Sequence, residues 1–454
     1  MADDETLLQP RAGEQVLSSI RVEVIDGPDR GKQATSTETL SVGTAKDNAL
    51  VVGDFTVSRY HLEVSVGAKG IVVTDLGSTN GTYVGPVRIE RAVVPPGTAV
   101  KLGGTTIRFD DAVRSTVPVD GRDHELSGML ARSPQMLRMF GDIERVAATP
   151  TSVLVVGESG TGKERVAEAI HERSPRASGP LVTIDCGALA SSLLASELFG
   201  HERGAFTGAD RVHVGAFERA AGGTVFLDEI GELPPNDQVA LLGVLERKRF
   251  RRVGGTVELE HNARVIAATN RDLRTEVNAG RFRHDLYHRL AVVVLKLPPL
   301  RERREDIMML VEHFARELGA DGPIESVFDA ETLARWQRHP WPGNIRELRN
   351  AVEAAIVVGV SPGQSSIGFT IGEAGMSGEA GSGLSGLSGL SGEAGNLAPL
   401  PPYKDERARV VGEFERAYLT RLMGEAKGNV SQAARTAKMD RSHLIDMLRR
   451  HDLK

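Results

Sequence analysis

The sequence predicts a multidomain protein: an N-terminal all-β sandwich, a central α/β domain with a helical lid, and a C-terminal α-helical helix-turn-helix. Three observations predict this organisation. Short alternating runs broken by Gly- and Pro-containing turns fill residues 20–113. A strand, a glycine-rich turn and a helix follow one another from Ser152. Two helical patterns joined by a tight turn lie at the C-terminal end.

Composition fits several soluble domains. The chain has 454 residues, 40% of them apolar, which is enough for about three domains with real cores. Its net charge of −6 argues against a protein coated in nucleic acid. A lone cysteine, Cys186, excludes an intrachain disulfide and fits a reducing compartment. No stretch approaches the roughly 18 apolar residues of a membrane helix, and the acidic N-terminus is unlike a signal peptide. We therefore expect a cytoplasmic protein without membrane contact.

The N-terminal third carries the sandwich pattern. Alternating runs such as residues 19–25, 61–66 and 105–109 are separated by glycine-containing turns. We expect a flexible N-terminus over residues 1–18, a β domain over 19–114 and a linker over 115–125.

Two of its loops resemble those of forkhead-associated (FHA) domains, which bind phosphothreonine peptides. The matching segments are Ser58-Arg-Tyr-His61 and Asp75-Leu-Gly-Ser-Thr-Asn80-Gly-Thr-Tyr. The resemblance implies a phosphothreonine protein or a Ser/Thr kinase as partner, and contacts from Ser58 and Asn80. Relatives carry a phosphate-binding arginine where this chain has Thr44, and a neutral group cannot replace that cation. Lys46 or Arg59 are the replacements that the sequence offers, and Arg59 joins the predicted site.

Other interpretations of this domain remain open. Without the usual arginine, it binds phosphothreonine more weakly, or it binds an unphosphorylated partner. It can also be a structural or self-association domain.

A phosphate-binding loop opens the central domain. The β-branched run 152–156 is typical of a buried parallel strand, and residues 164–170 have helical spacing. Glycines let the backbone N–H groups point at phosphate oxygens, and Lys163 suits the β- and γ-phosphates of ATP. The expected nucleotide contacts are Gly157, Glu158, Ser159, Gly160, Thr161, Gly162, Lys163 and Glu164. A glycine-rich turn without a ligand is the alternative.

Two further predicted strands end in polar residues. Residues 223–227 lead into Asp228 and Glu229, and residues 263–269 lead into Asn270. Carboxyl ends of parallel strands share one edge, which defines a nucleotide crevice. There Asp228 can bind Mg²⁺ and Glu229 can face the attacking water. An acidic strand-to-helix cap is the alternative.

Residues 126–360 resemble the AAA+ module of bacterial enhancer-binding proteins, the activators of sigma-54 RNA polymerase. Glutamate after the phosphate-loop lysine is usual in that family. Gly204-Ala-Phe-Thr-Gly-Ala209 is close to diagnostic of it, residues 280–290 match its arginine-finger region, and residues 341–348 match its second sensor. We expect an α/β subdomain over 126–295 and a helical lid over 296–360.

The resemblance implies catalytic roles. Lys163 binds phosphate, Asp228 holds Mg²⁺, Glu229 polarises water and Asn270 is the first sensor. Asp185 stands where many relatives carry an asparagine that holds the catalytic glutamate, so the details of the switch stay open.

The resemblance also implies a ring. Arg283 and Arg289 reach the γ-phosphate bound on a neighbouring subunit, and Arg346 senses the nucleotide from the lid. An arginine supplied in trans stabilises transition-state charge strongly. We therefore expect a homo-oligomer, typically a hexamer.

The tract at residues 204–209 is the expected coupling element. Its glycines allow a hinge, and Phe206 places an aromatic ring on a loop. The resemblance implies that this loop contacts sigma-54 through Gly204, Ala205, Phe206, Thr207, Gly208 and Ala209. Ordinary core packing of Phe206 is the alternative.

Two other groups of residues point elsewhere. His284 and His288 have the i, i+4 spacing of zinc ligands, but no third ligand is evident and the finger-region match explains them better. The basic run 247–252 is better explained as a charged loop or a solvated face than as a nucleic-acid patch.

The C-terminal part predicts a DNA reader on a tether. Residues 361–402 are a Gly/Ser-rich linker. Residues 403–454 have helix-turn-helix spacing, with Asn429 as the cap of a helix over 430–437, and resemble Fis-type domains. The charge of residues 427–454 is +4, from seven Lys or Arg and three Asp, which suits enhancer DNA. The candidates for base contacts are Arg441, Ser442 and His443. A pure dimerisation unit is the alternative.

Taken together, the sequence predicts a sigma-54-dependent transcriptional activator that hydrolyses ATP. A repressor that has lost sigma-54 coupling and a phosphopeptide-binding scaffold are the alternatives. The intact tract at residues 204–209 argues against the first, and the full set of ATPase residues argues against the second.

Overall fold

The computed structural model describes residues 14–37, 39–67, 70–118, 124–188, 191–320 and 322–358, and further on 419, 422–423, 426, 429–436, 439, 444, 448 and 450. The chain divides into two compact units, within Met1–Gly375 and Met376–Lys454. Within the described residues, no helix is both long enough and apolar enough to cross a membrane.

The N-terminal domain is a sandwich of two β-sheets, as predicted. Its strands are β1 (Glu14–Asp26), β2 (Gln33–Ser36), β3 (Thr39–Gly43), β4 (Leu50–Val51), β5 (Leu62–Gly67), β6 (Gly70–Asp75), β7 (Thr82–Val84), β8 (Val87–Ile89), β9 (Arg91–Val94), β10 (Ala99–Leu102) and β11 (Thr105–Pro118). One sheet has the order β2-β1-β11-β10-β7-β8 and the other β4-β3-β5-β6-β9. Alternate residues point inward, so that Leu40, Val42 and Phe109 lie in the core between the sheets.

The ends of this domain differ from the prediction. β1 begins at Glu14 and pairs with β11 as far as Pro118, so the boundaries at 19 and 114 are too narrow. Residues 115–118, expected to be linker, extend the ladder instead. Backbone hydrogen bonds hold these strand ends together, and hydrophobic alternation carries no sign of such pairing.

The central domain is built on a parallel five-stranded sheet, as predicted. A small hairpin and a helix lead into it: β12 (His124–Leu126), β13 (Met129–Ala131) and α1 (Pro134–Ala147). The parallel strands are β14 (Val153–Val156), β15 (Leu181–Asp185), β16 (Thr224–Asp228), β19 (Arg264–Thr269) and β20 (Val293–Lys296). Their order is β15-β16-β19-β14-β20, which places the phosphate-loop strand β14 beside β19.

Helices and a second small hairpin cover this sheet. They are α2 (Lys163–Glu172), α3 (Ser191–Phe199), α4 (Ala216–Arg219), α5 (Pro235–Arg247), β17 (Arg249–Phe250), β18 (Leu259–Glu260), α6 (Leu273–Asn278) and α7 (His284–Leu290). Every residue of β19 is buried, as expected for a strand with both faces covered. The buried Arg264 guanidinium donates to the carbonyls of Val146 and Ala147, at the end of α1.

The lid is helical, as predicted. Its helices are α8 (Ile307–Glu317), α9 (Ile324–Val327), α10 (Ala330–Arg338) and α11 (Asn344–Val358). They pack around the buried indoles of Trp336 and Trp341. The Asp306 carboxylate accepts hydrogen bonds from the backbone N–H groups of Arg132 and Ser133, which joins the lid to the entrance of α1.

Part of the C-terminal unit is described. α12 (Val430–Thr436) begins where the sequence predicts, and the Asn429 side chain accepts from the N–H of Gln432 at 3.2 Å. A small core contains Leu419, Leu422, Ala426, Ala433, Ala434, Leu444 and Leu448. The predicted linker 361–402 and the candidate base contacts Arg441, Ser442 and His443 lie outside the described residues.

Candidate nucleotide crevice and coupling loop

The phosphate loop curls between β14 and α2. Gly160 and Gly162 have φ angles of 76° and 105°, left-handed values that favour glycine. Lys163 opens α2, and its side chain is only 7% exposed. Its Nζ donates to the carbonyls of Gly157 at 3.1 Å and Glu158 at 3.3 Å. A buried ammonium within a cradle of left-handed glycines at a helix N-terminus fits a polyphosphate.

The predicted acid residues face this lysine. Asp228 ends β16, and Glu229 follows with a φ of 49°, an unusual value outside glycine. The turn brings Glu229 Oε1 within 3.7 Å of Lys163 Nζ. The backbone N–H of Asn270, at the end of β19, donates to Glu229 Oε2 at 3.3 Å. Lys163, Asp228, Glu229 and Asn270 therefore meet at one edge of the sheet.

Asp185 lies beside this group but is occupied locally. Its Oδ1 accepts from the N–H groups of Gly187 at 2.8 Å and Ala188 at 3.0 Å. The carboxylate thus closes the turn after β15, which is a common use of aspartate. The buried thiol of the next residue, Cys186, has its pKa raised to about 12 by burial and then by nearby carboxylates, so it stays neutral.

The lid reaches the phosphate loop through the start of α11. Asn344 has a φ of 54°, and its amide donates to the Ser159 carbonyl at 3.0 Å. The N–H of Ile345 donates to the Gly160 carbonyl at 2.9 Å. Arg346 donates to Ser159 Oγ at 3.2 Å, so the predicted second sensor does lie over the loop.

Two further arginines hold the loop, and no motif in the sequence points to them. The Arg301 guanidinium donates to both carboxylate oxygens of Glu158, at 2.8 and 2.6 Å. Arg303 is buried and donates to the Thr161 carbonyl at 2.9 Å, and burial lowers its pKa to about 10. Both lie in the segment before α8. The only hint there is the unbroken charged run 301–306, which follows a proline pair by one residue.

The two candidate arginine fingers lie on α7. Arg283 precedes the helix and makes a bidentate ion pair with Asp285, at 3.0 and 2.7 Å. Arg289 donates to the Leu245 carbonyl at the end of α5. Both are exposed and bonded to groups away from the crevice, so the structure does not bring them to the phosphate loop of their own chain.

The tract at residues 204–209 forms a closed loop between α3 and α4. Gly204 and Gly208 have φ angles of 79° and 96°, and the Gly204 N–H donates to the Ala209 carbonyl at 2.8 Å. Thr207 is exposed, and Phe206 is 36% exposed with its ring edge-on to His201 at 4.8 Å. The aromatic ring therefore lies on the surface, and the core-packing alternative is wrong.

Ion pairs tie the base of this loop to the β17–β18 hairpin. Arg252 pairs with Glu202 at 3.0 Å and with Glu218 at 2.8 Å. Arg249 and Arg251 pair with glutamates of the same hairpin. These pairs neutralise much of the basic run 247–252, which fits a charged loop better than a nucleic-acid patch.

The FHA-like loops of the sandwich pack around a neutral histidine. His61 is fully buried, which lowers its pKa. Its Nδ1 accepts from the N–H of Ser58 at 3.1 Å, and Nε2 lies 3.2 Å from the Gly81 carbonyl. Asn80 donates to the Thr56 carbonyl at 2.8 Å. Ser58 and Asn80 therefore lie on loops that pack side by side, and Arg59 is exposed beside them.

Comparison with known proteins agrees with this architecture. Residues 129–296 match the family described as the sigma-54 interaction domain, and residues 301–366 match the AAA+ ATPase lid domain. The chain is 42% identical over 347 residues to transcriptional regulatory protein GlrR of Escherichia coli K12, an alignment that covers 76% of this chain and 72% of that protein. This chain belongs to the sigma-54-dependent transcriptional activators.

Other relatives of this activator share the same core. It is 43% identical over 310 residues to the Nif-specific regulatory protein of Azospirillum brasilense, covering 68% of this chain and 48% of that protein. The chain thus spans about half the length of that relative. NtrX of Brucella abortus in complex with ADP is a similar solved structure, with 33% identity, a TM-score of 0.50 and coverage of 72% of this chain and 69% of that chain.

The sandwich of the activator has a separate match. Residues 23–113 match the family described as the cytoplasmic domain of an inner membrane component of T3SS. The sandwich also aligns with an FHA domain from a study of phosphothreonine-dependent FHA interactions, at 28% identity, 20% coverage of this chain, 95% of that chain and a TM-score of 0.19.

Proposed function

We propose that this activator hydrolyses ATP as a ring and uses the turnover to remodel the closed complex of sigma-54 RNA polymerase. One observation supports this above the others: Glu229 bridges Lys163 and the backbone of Asn270 at the mouth of the phosphate loop. A carboxylate in that place can orient water toward a phosphate held by the lysine.

The residues of the crevice divide the chemistry. Lys163 and the loop N–H groups hold the β- and γ-phosphates, and Glu229 takes up the proton of the attacking water. Asp228 is the ligand available for Mg²⁺, which bridges phosphate oxygens and neutralises charge when it is bound. Arg346 reports on the nucleotide, because it contacts Ser159 of the loop from the lid.

Hydrolysis in this proposal needs a neighbouring subunit. Arg283 and Arg289 are exposed on α7 and do not reach their own phosphate loop, so they are available to complete the site of an adjacent chain. An arginine contributed in this way accelerates phosphoryl transfer by about 10³–10⁵-fold. The assembly is therefore a ring, of which the hexamer is the expected form.

The output passes through the loop at residues 204–209, whose exposed Phe206 and Thr207 contact sigma-54. Enhancer DNA is bound by residues 403–454, through Arg441, Ser442 and His443, on the tether 361–402. The sandwich receives the signal as a phosphothreonine protein or kinase at Ser58, Arg59 and Asn80. The functional segments are then the sandwich near 14–118, the ATPase at 126–295 and the lid at 296–360.

Replacing Glu229 by Gln tests the ATPase assignment. The variant is expected to bind ATP as the wild type does and to hydrolyse it about 10²–10⁴-fold more slowly, because the proton acceptor is lost. Glu232→Gln is the matched control, since that nearby carboxylate pairs with Arg271 instead. Unchanged turnover in Glu229→Gln would overturn the assignment.

A further inference from the structure

The sandwich docks on the α/β domain through a buried tyrosine. Tyr60 lies in the loop that also carries Ser58, yet its ring is 1% exposed and packs in the core of the α/β domain. It meets the Tyr287 ring of α7 edge-on, at 5.6 Å between centroids. Its hydroxyl donates to the Asp47 carboxylate and lies 3.4 Å from Nε2 of His288. Sandwich and α7 therefore share one apolar core at this point.

A second loop of the sandwich docks beside the first. Leu76, which follows β6, is 4% exposed within the same core. The Asn278 amide at the end of α6 donates to the backbone carbonyls of both Tyr60 and Leu76. One side chain of α6 thus fastens both loops of the sandwich.

A charge cluster closes the contact. The Glu63 carboxylate of β5 accepts from Arg274 of α6 at 2.5 Å and from Lys296 of β20 at 2.8 Å. Burial alone would raise the pKa of Glu63, but the two cations hold it below its usual value. Asp272 shares Arg274 at 3.0 Å. Partly buried pairs of this kind are lost at a larger free-energy cost than exposed ones.

The docked loops are those of the candidate phosphopeptide surface. Ser58 lies two residues before Tyr60, and Asn80 lies four residues after Leu76. The N–H groups of Thr44 and Ala45 donate to the carbonyls of Ser58 and Arg59, both at 3.1 Å. One side of this layer faces the proposed ligand and the other faces α6 and α7. A ligand that moves Ser58 or Asn80 must therefore strain the docked residues.

The contact also bears on the candidate arginine fingers. α7 has seven residues between Arg283 and the end at Leu290. Its Tyr287 and His288 are held by the sandwich, while Arg283 and Arg289 are bonded within the chain. A helix this short moves as one piece. Docking of the sandwich therefore fixes the placement of both arginines.

We propose that the sandwich is a clamp in cis on α6 and α7, which restrains the arginine-bearing helix, and that a phosphothreonine ligand at the Ser58–Asn80 loops opposes the docking. The inference rests on the proposed function, since it takes the ATPase ring and the ligand surface from there. Binding and docking are then linked reciprocally: what weakens one strengthens the other.

Reversing one charge tests the clamp. In the full-length protein, Glu63→Lys places a third cation beside Arg274 and Lys296. We expect faster hydrogen exchange over residues 273–290 and a rise in ATP turnover of about fivefold or more. Glu23→Lys is the matched control, since Glu23 also pairs with an arginine, Arg108 at 3.0 Å, but within the sandwich. It is expected to leave both measurements unchanged.

A variant on the other side of the contact guards against misfolding of the sandwich. Asn278→Ala removes the two hydrogen bonds to Tyr60 and Leu76 without touching a sandwich residue, and it is expected to act in the same direction as Glu63→Lys. If turnover stays the same or falls in folded Glu63→Lys and Asn278→Ala, the clamp is overturned.

The link to the ligand has its own test. The probe is a pool of peptides degenerate around one phosphothreonine, with the matching threonine pool as control. We expect Glu63→Lys to bind the phosphorylated pool about fivefold or more tighter than Glu23→Lys does. Equal binding by the two variants would overturn the opposition between ligand and docking. If neither variant prefers the phosphorylated pool, the phosphothreonine assignment fails, while the turnover and exchange results still decide the clamp.

Discussion

Glu158 in the phosphate loop and Arg301 before the lid form a bidentate ion pair, with N–O distances of 2.8 and 2.6 Å. Asn344 of the lid donates to the same carboxylate at 3.2 Å. The sequence predicts a nucleotide contact for Glu158, but its carboxylate faces the lid. The pair therefore couples the position of the lid to the shape of the loop.

Breaking this pair should loosen nucleotide binding more than folding. Arg301→Ala removes both hydrogen bonds while Glu158 stays partly solvated, so the loss of unfolding free energy is expected to be about 1 kcal/mol or less. ATP affinity is expected to fall by about tenfold, since the loop loses its preset shape. Titration with a fluorescent ATP analogue and chemical denaturation check the two halves. Unchanged affinity would contradict the coupling.

The same pair predicts a pH dependence. The hydrogen bonds from Arg301 hold the pKa of Glu158 below its usual 4.5. Because the folded-state pKa is depressed, the stabilisation is present above about pH 4.5 and is lost as the pH falls through the folded pKa. The difference in unfolding free energy between wild type and Arg301→Ala should therefore shrink on acidification below pH 4.5. A difference that grows there would refute this assignment.

Close approach of the lid makes Gly160 irreplaceable. A Cβ there would lie 2.4 Å from the Gly343 carbonyl oxygen, and φ is 76°. Gly222 has nearly the same φ, 77°, with nothing within 4 Å of its Cβ position. Gly222→Ala is expected to cost about 1–2 kcal/mol for backbone strain alone. Gly160→Ala should cost measurably more in nucleotide-free denaturation, and equal costs would show that the lid does not close on the loop.

The buried His61 predicts acid sensitivity of the sandwich loops. Burial lowers its pKa, against the opposing charge of Asp75 at 4.0 Å. Its stabilising neutral form is fully present above about pH 6.5, and stability falls as the pH drops below that value. Hydrogen exchange over residues 54–82 should accelerate between pH 7.5 and 5.5. In His61→Asn, which cannot titrate, the corrected exchange should not change with pH.

The features that depend on local pattern can be predicted from the sequence. Alternation places the sandwich, and the buried run that ends at Val156 places β14 and the phosphate loop. Polar residues after β16 and β19 converge because parallel strands end at one edge of a sheet. Asp228, Glu229 and Asn270 can therefore be grouped from the sequence alone.

Side-chain pairs between distant segments cannot be predicted in this way. Glu63 and Arg274 are far apart in sequence, and neither belongs to a motif, so only the folded chain brings them together. The role of Asp185 is equally hidden, because its bonds to the turn at Gly187 depend on a local backbone shape. The strand ends beyond 19 and 114 escape prediction for a related reason, since backbone pairing leaves no hydrophobic pattern.

The most direct test of the proposed mechanism separates hydrolysis from its use. Thr207 is exposed on the coupling loop and makes no contribution to the crevice. Thr207→Ala should therefore hydrolyse ATP within about twofold of the wild-type rate, yet fail to open a sigma-54 promoter in a purified transcription assay. Normal transcription by Thr207→Ala would contradict the claim that this loop transmits ATP turnover to sigma-54.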